Sequence, residues 1–198
     1  VTDEEMTALA TQIEEQINSE NKNFILRDFD EETMEKFLLW ADTAGDYKVI
    51  YLNTPGGHMH VCDVIVDKIN EDPEKYHIKM FGSVISAGMY LIMNAKCTVE
   101  DITESIDDYT LYLYHNAYID FTSRPKRHAR EHYLRLLEER NKKAYLRIKD
   151  HFTMEQNQQM EKFFKDYKHP IKKFFVNDDI YLDLWQIKRI VGDRYVSG

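Results

Sequence analysis

Three residues, met in the order Ser86, His115 and Asp179, could together run acyl-transfer chemistry. A serine hydroxyl is a poor nucleophile near neutral pH and needs a base within hydrogen-bond reach. An imidazole suits that task because its unperturbed pKa lies near neutrality. A carboxylate on its other nitrogen fixes the tautomer and steadies the imidazolium. Asp178 stands beside Asp179 as the alternative acid. Ser86 lies in the small-residue stretch Gly82-Ser83-Val84-Ile85-Ser86-Ala87-Gly88, and Asn53-Thr54-Pro55-Gly56-Gly57 is a second glycine-rich segment upstream. Two glycine-rich strand ends can bring backbone N–H groups to one point, as an oxyanion hole requires. Gly57 and Ala87 are the candidate donors.

Each signal has a plainer reading. A serine at a helix start is most often an N-cap, and Ser83 competes with Ser86 in the same stretch. A proline-glycine-glycine segment is usually only a turn. A lone His115 would more often be a satisfied core histidine, and Asp178 or Asp179 a loop or cap residue. The combination carries the reading.

The elements that must position these residues follow from periodicity. Thr2 and Glu5 form a candidate capping box for an N-terminal helix, part of an extension over residues 1–22. Phe24-Ile25-Leu26 reads as a strand, and Asp30 as the cap of a helix carrying Met34, Phe37, Leu38 and Ala41, with Gly45 near its end. Lys48-Val49-Ile50-Tyr51-Leu52 has the continuous apolar character of a buried parallel strand. Val61, Val64, Ile65 and Ile69 mark a further helix, Ile78 to Phe81 a strand, and Ser86 to Asn94 a helix. Strand, glycine turn and helix thus occur twice in succession, and sites in such βαβ arrangements lie at the carboxyl ends of the strands. Tyr109 to Tyr114 alternates aromatic and aliphatic residues and leads into His115.

Residues 124–152 form the longest helical stretch, with Ala129, Tyr133, Leu137, Ala144 and Ile148 as its expected apolar stripe. Thr153 with Gln156, and Asp183 with Gln186, offer two further capping boxes. The 198 residues are read as one α/β domain.

Composition excludes several classes. A net charge of -9 argues against general affinity for a nucleic-acid backbone. The basic residues of the long helix are interleaved with Glu131, Glu138 and Glu139, as on a solvated face. No apolar run reaches the roughly 18 residues of a membrane helix, and Val1-Thr2-Asp3-Glu4-Glu5 has no signal-peptide character. Cys62 and Cys97 show no metal-ligand spacing and read as two buried small hydrophobes, with a disulfide as the alternative, in keeping with a cytoplasmic location. His58 with His60, or His128 with His132, could hold a metal, but no third ligand stands at a telling spacing. Both pairs read as surface histidines, and no cofactor is implied.

Taken together, the motifs resemble the Clp-type serine peptidases, the proteolytic subunits of barrel-shaped proteases served by ATP-driven (AAA+) unfoldases. Asn53-Thr54-Pro55-Gly56-Gly57 is similar to the family's Asn-Ser-Pro-Gly-Gly turn, and Gly82 to Leu91 to its nucleophile segment, with Ala87-Gly88 in place of Met-Gly. Tyr114-His115-Asn116 resembles the strand end bearing the catalytic histidine. His128-Ala129-Arg130-Glu131 resembles the opening of the handle helix, and Asp179-Ile180-Tyr181-Leu182 the segment with the catalytic aspartate. The resemblance implies a ClpP/crotonase-like fold of repeated ββα units with a projecting handle helix over residues 124–152. It also implies an oligomeric ring, peptide or unfolded protein as substrate, and an AAA+ unfoldase as a partner.

Departures accompany it. Asn116-Ala117-Tyr118 replaces the usual Gln-Pro and glycine-rich strand, and Asp178 stands where many members carry an interface arginine. The segment between Ser86 and His115 is longer and acidic, with Glu100, Asp101, Glu104, Asp107 and Asp108. Other readings are a catalytically silent Clp-like subunit, a crotonase-type enzyme acting on acyl-CoA thioesters, and a Ser-Lys dyad using Lys79 or Lys96.

Overall fold

The computed structural model of the chain describes residues 22–43, 45–104, 110–117, 127–166 and 179–197. The expected N-terminal helix, Asp178, and the first three residues of the expected 124–152 helix lie outside them. Two compact units result: Val1–Leu113 with Tyr181–Gly198, and Tyr114–Ile180.

The first unit is built on a parallel sheet. The strands and helices of the sheet region are β1 (Asn23–Phe29), α1 (Glu31–Ala41), β2 (Lys48–Gly57), α2 (Met59–Glu71), β3 (Tyr76–Ile85), α3 (Ala87–Asn94), β4 (Thr98–Asp101) and β5 (Leu111–Tyr114), then β6 (Ile180–Leu182) and α6 (Leu184–Val191), the end residues Tyr114 and Ile180 counting with the second unit. The strands run in the order β1-β2-β3-β5-β6, and β4 also pairs with β3. The first half of β3 takes β4 as its parallel partner, through His77 to Met80. The second half takes β5, through Ser83 to Ile85.

Helices cover this sheet because the middles of its central strands, β2 and β3, are mostly apolar and buried. Ile50, Leu52, Ile78 and Met80 are fully buried, each worth about 1.5–3 kcal/mol of transfer free energy. The buried side of α2 is Val61, Cys62, Ile65, Val66 and Ile69, the three-and-four spacing of an inward helical face. Val64, expected with them, points outward. Asp30 caps α1 by accepting from the Thr33 amide at 2.7 Å.

That helix stops at Ala41, before Gly45, because other side chains take its last carbonyls. Thr43 Oγ1 donates to the Trp40 carbonyl at 2.7 Å, and Lys48 Nζ donates to the same carbonyl at 2.8 Å. Lys48 is buried, and its ammonium also sits 4.7 Å from the Trp40 ring centroid. Burial above all pulls its pKa down.

The acidic residues that end β4 are paired, while Asp107 and Asp108 of the expected acidic segment lie outside the described residues. Buried Asp101 accepts from the Thr103 amide at 2.8 Å, Thr103 Oγ1 at 2.7 Å and Thr110 Oγ1 at 3.2 Å, and from the Tyr112 hydroxyl. Glu100 meets His77 at 3.0 Å and Lys79 at 3.5 Å. Both cysteines are free and buried, and burial pushes the Cys97 thiol up to about 12.

The second unit contains α4 (Arg127–Ile148) and α5 (Met154–Asp166). Over residues 131–148, the part of α4 whose side chains are described, the buried positions are Leu134, Asn141, Ala144, Tyr145 and Ile148. Tyr133, expected in that stripe, is 53% exposed. The stripe is turned because Asn141 must face inward to meet the segment after β5. Thr153 and Gln156 form the expected reciprocal cap, at 2.8 and 3.2 Å, as do Asp183 and Gln186 at the start of α6. Among the described residues no helix is long and apolar enough to cross a membrane.

Candidate active site

The glycine segments are strand, not free turn. β2 continues through Gly57, with Gly56 beside Asp28 and Gly57 beside Phe29 of β1. The β1–β2 register slips between Leu26 and Asp28, opposite the stretch from Leu52 to Gly56, so Pro55, which has no N–H, falls at an irregularity where no ladder bond is lost. The Gly56 amide donates to Thr54 Oγ1 at 2.9 Å, and the His58 amide to the Phe29 carbonyl at 2.7 Å. Gly57 lies between these two committed amides.

Ser86 occupies the sharp junction from β3 into α3. Its backbone is at φ 56°, ψ −112°, and it alone among the described non-glycine residues has positive φ. Such a conformation costs of order 1–3 kcal/mol and persists only where the surroundings impose it. Two neighbours do so here. The Ser86 amide donates to the Leu113 carbonyl of β5 at 3.0 Å, and Gly56 passes so close that a Cβ there would stand 2.6 Å from the Ser86 Cβ.

Although Ser86 is the N-cap residue of α3, its side chain makes no capping bond. The hydroxyl is therefore not spent on the role most serines at helix starts perform. Ala87, the first helical residue, is one of the positions whose N–H has no partner within the helix. The short α3 also turns its positive end toward Ser86. Gly88 lets this helix start settle onto β2, since a Cβ there would meet Thr54 Cγ2 at 2.5 Å.

Ser83 is engaged elsewhere. Its amide and hydroxyl both donate to Asn53 Oδ1, at 3.0 and 3.1 Å. Gly82, at φ 64°, would bring a Cβ within 2.8 Å of the same oxygen. Asn53 thus ties the two glycine-rich segments together, a role its position at the head of Asn-Thr-Pro-Gly-Gly does not disclose.

His115 and Asp179 belong to the second unit. His115 is half-buried, and its Nδ1 lies 2.9 Å from the Asn116 carbonyl. A carbonyl can only accept, so Nδ1 is the donor in this contact. Two residues on, buried Asn141 clamps Ala117 by accepting from its amide at 3.0 Å and donating to its carbonyl at 2.8 Å. This clamp was not among the sequence expectations, because nothing in its 24-residue separation marks it. Asp179 is half-buried, and its carbonyl accepts from Gln159 Nε2 at 3.1 Å.

No protein-family model matches the chain, and no curated protein matches it. Solved structures do. A mutant of ClpP1 from Listeria monocytogenes is similar over 94% of this chain and 96% of its own, with TM-score 0.54 and 18% sequence identity. The chain therefore has a ClpP-like α/β fold.

Proposed function

We propose that this protein is a serine endopeptidase of the Clp type, its triad formed by Ser86, His115 and Asp179. The single observation that carries the proposal is the strained backbone of Ser86 at a strand-to-helix junction, with the hydroxyl unspent on capping. Strain of this kind collects at functional sites, and a sharp strand-to-helix turn is a known way to expose a nucleophilic serine.

In this mechanism His115 Nε2 takes the Ser86 proton as the hydroxyl attacks a peptide carbonyl. The Gly57 and Ala87 N–H groups hold the tetrahedral oxyanion. His115 then protonates the leaving amine, and water releases the acyl-enzyme by the same steps in reverse. The mechanism requires the two units to bring His115 within hydrogen-bond reach of Ser86. By analogy with the fold, the protein would be cytoplasmic, form a homo-oligomeric ring and act on unfolded chains fed by an AAA+ unfoldase.

One observation favours a second reading, a catalytically silent subunit. The His115 nitrogen that a triad carboxylate would hold is bonded to its neighbour's carbonyl. In an active enzyme that carbonyl would share the orienting task with Asp179. Hydrolysis of a disordered, fluorescence-quenched protein substrate separates the readings. His115→Ala is expected to cost at least about a thousandfold in kcat. Asp179→Asn should cost less than the about ten-thousandfold typical where the carboxylate alone fixes the tautomer. No turnover in any oligomeric fraction would favour the silent subunit.

A further inference from the structure

The histidines that follow Gly57 have a third neighbour that sequence spacing hides. Residues two apart in a continuous helix project about 200° from one another and do not meet. His58, however, is the N-cap of α2 with an extended backbone, φ −74° and ψ 124°. That break lets the His58 and His60 rings stack, with centroids 5.5 Å apart and planes 26° from parallel. The bond from the His58 amide to the Phe29 carbonyl ties the pair to the end of β1. Just beyond that end, Glu31 opens α1, and its Oε1 bonds with His60 Nε2. One donor atom from each of Glu31, His58 and His60 lies within 4.8 Å of the others, and all three residues are exposed.

We propose that Glu31, His58 and His60 bind a divalent transition-metal ion, zinc in the first instance, with a fourth position open to water. Two imidazole nitrogens and one carboxylate oxygen are a donor set that zinc accepts in three-ligand sites. Donor atoms around a tetrahedral zinc stand about 3.3 Å apart, so these side chains must close by about 1.5 Å at most. Their exposure allows that by rotamer change alone, with the backbone held by its bonds to β1. The positive ends of α1 and α2 oppose a cation. The Glu31 carboxylate, itself one of the ligands, offsets this.

A bound ion would fasten the β1–α1 junction to the His58 side of Gly57. On the peptidase reading that segment carries an oxyanion donor, and this one consequence rests on that reading. The binding itself does not.

The test is equilibrium dialysis of the chelator-stripped full chain against Zn²⁺. One saturable ion per chain is expected. The His58→Ala/His60→Ala double variant and Glu31→Gln should each weaken it at least about tenfold, since even lost outer-shell partners cost that much. Circular dichroism should be unchanged, because only exposed side chains are altered. His128→Ala/His132→Ala should bind as the unaltered chain does. No stoichiometric binding, undiminished binding in the Glu31 and His58/His60 variants, or loss only in the His128/His132 variant would overturn the proposal.

Discussion

A Cβ placed on Gly56 would stand 2.6 Å from the Cβ of Ser86 and 3.1 Å from its Oγ. The chain at Gly56 also has φ 107°, which side-chain-bearing residues rarely adopt. Gly56→Ala is therefore expected to displace the Ser86 turn. Thermal unfolding should show a loss of at least about 1 kcal/mol, and serine-directed labelling should fall with it. Retained stability and labelling would show that the close approach does not set the serine's position.

Strain at Ser86 has a separate signature. Glycine accepts φ 56° without penalty, so Ser86→Gly should stabilise the fold by about 1 kcal/mol while removing the nucleophile. Ser86→Ala removes the nucleophile without relieving the backbone. Denaturant titration of the two variants should therefore separate them. Equal stabilities would mean the turn is unstrained.

Asn141 is expected to matter out of proportion to its place on α4. It satisfies both backbone groups of buried Ala117, two residues beyond His115. Asn141→Leu orphans both and should cost on the order of 3 kcal/mol. In protein that remains folded, kcat should fall more than KM rises, because the base is misplaced rather than the substrate lost. An unchanged kcat would deny Asn141 a positioning role.

Glu104 offers a pH test. The Lys188 ammonium and then the Tyr195 hydroxyl, the latter at 2.8 Å, hold its carboxyl below the ordinary glutamate range. A pKa lowered by folding contributes stability that is present above the unfolded value and lost as pH falls through the folded one. Both side chains of the ion pair are about one-third exposed, so screening limits the effect to about 0.5 kcal/mol. Glu104→Gln should lower stability by that amount at pH 7, and the difference should shrink steadily as the pH falls through the folded value. A cost that does not change as the solution is acidified would point to packing instead.

The sequence was most legible where local chemistry decides the outcome. Asp30, Thr153 and Asp183 cap helices as their spacing predicts, and the apolar strands β2 and β3 lie beside each other in parallel. It was least legible where distant residues settle a local choice. The proline-glycine-glycine segment reads as a turn, yet pairing with Asp28 and Phe29 keeps it in the sheet. The inward face of α4 is set by Asn141 meeting Ala117, which turns Tyr133 outward. Ser86 was found by type and neighbourhood, but its positive φ and idle cap position are consequences of Gly56 and Leu113. Glu31 could not be joined to His58 and His60 by spacing, because β1 and β2 bring them together only through the sheet.

If Ser86 is an activated nucleophile, it must react covalently with a serine-directed electrophile. The full chain, fractionated by oligomeric state, is treated with a fluorophosphonate probe and the adduct located by mass spectrometry. One adduct is expected, on Ser86, absent in Ser86→Ala and lost in His115→Ala. An adduct on Ser83, an adduct that survives His115→Ala, or no adduct in any fraction would contradict it.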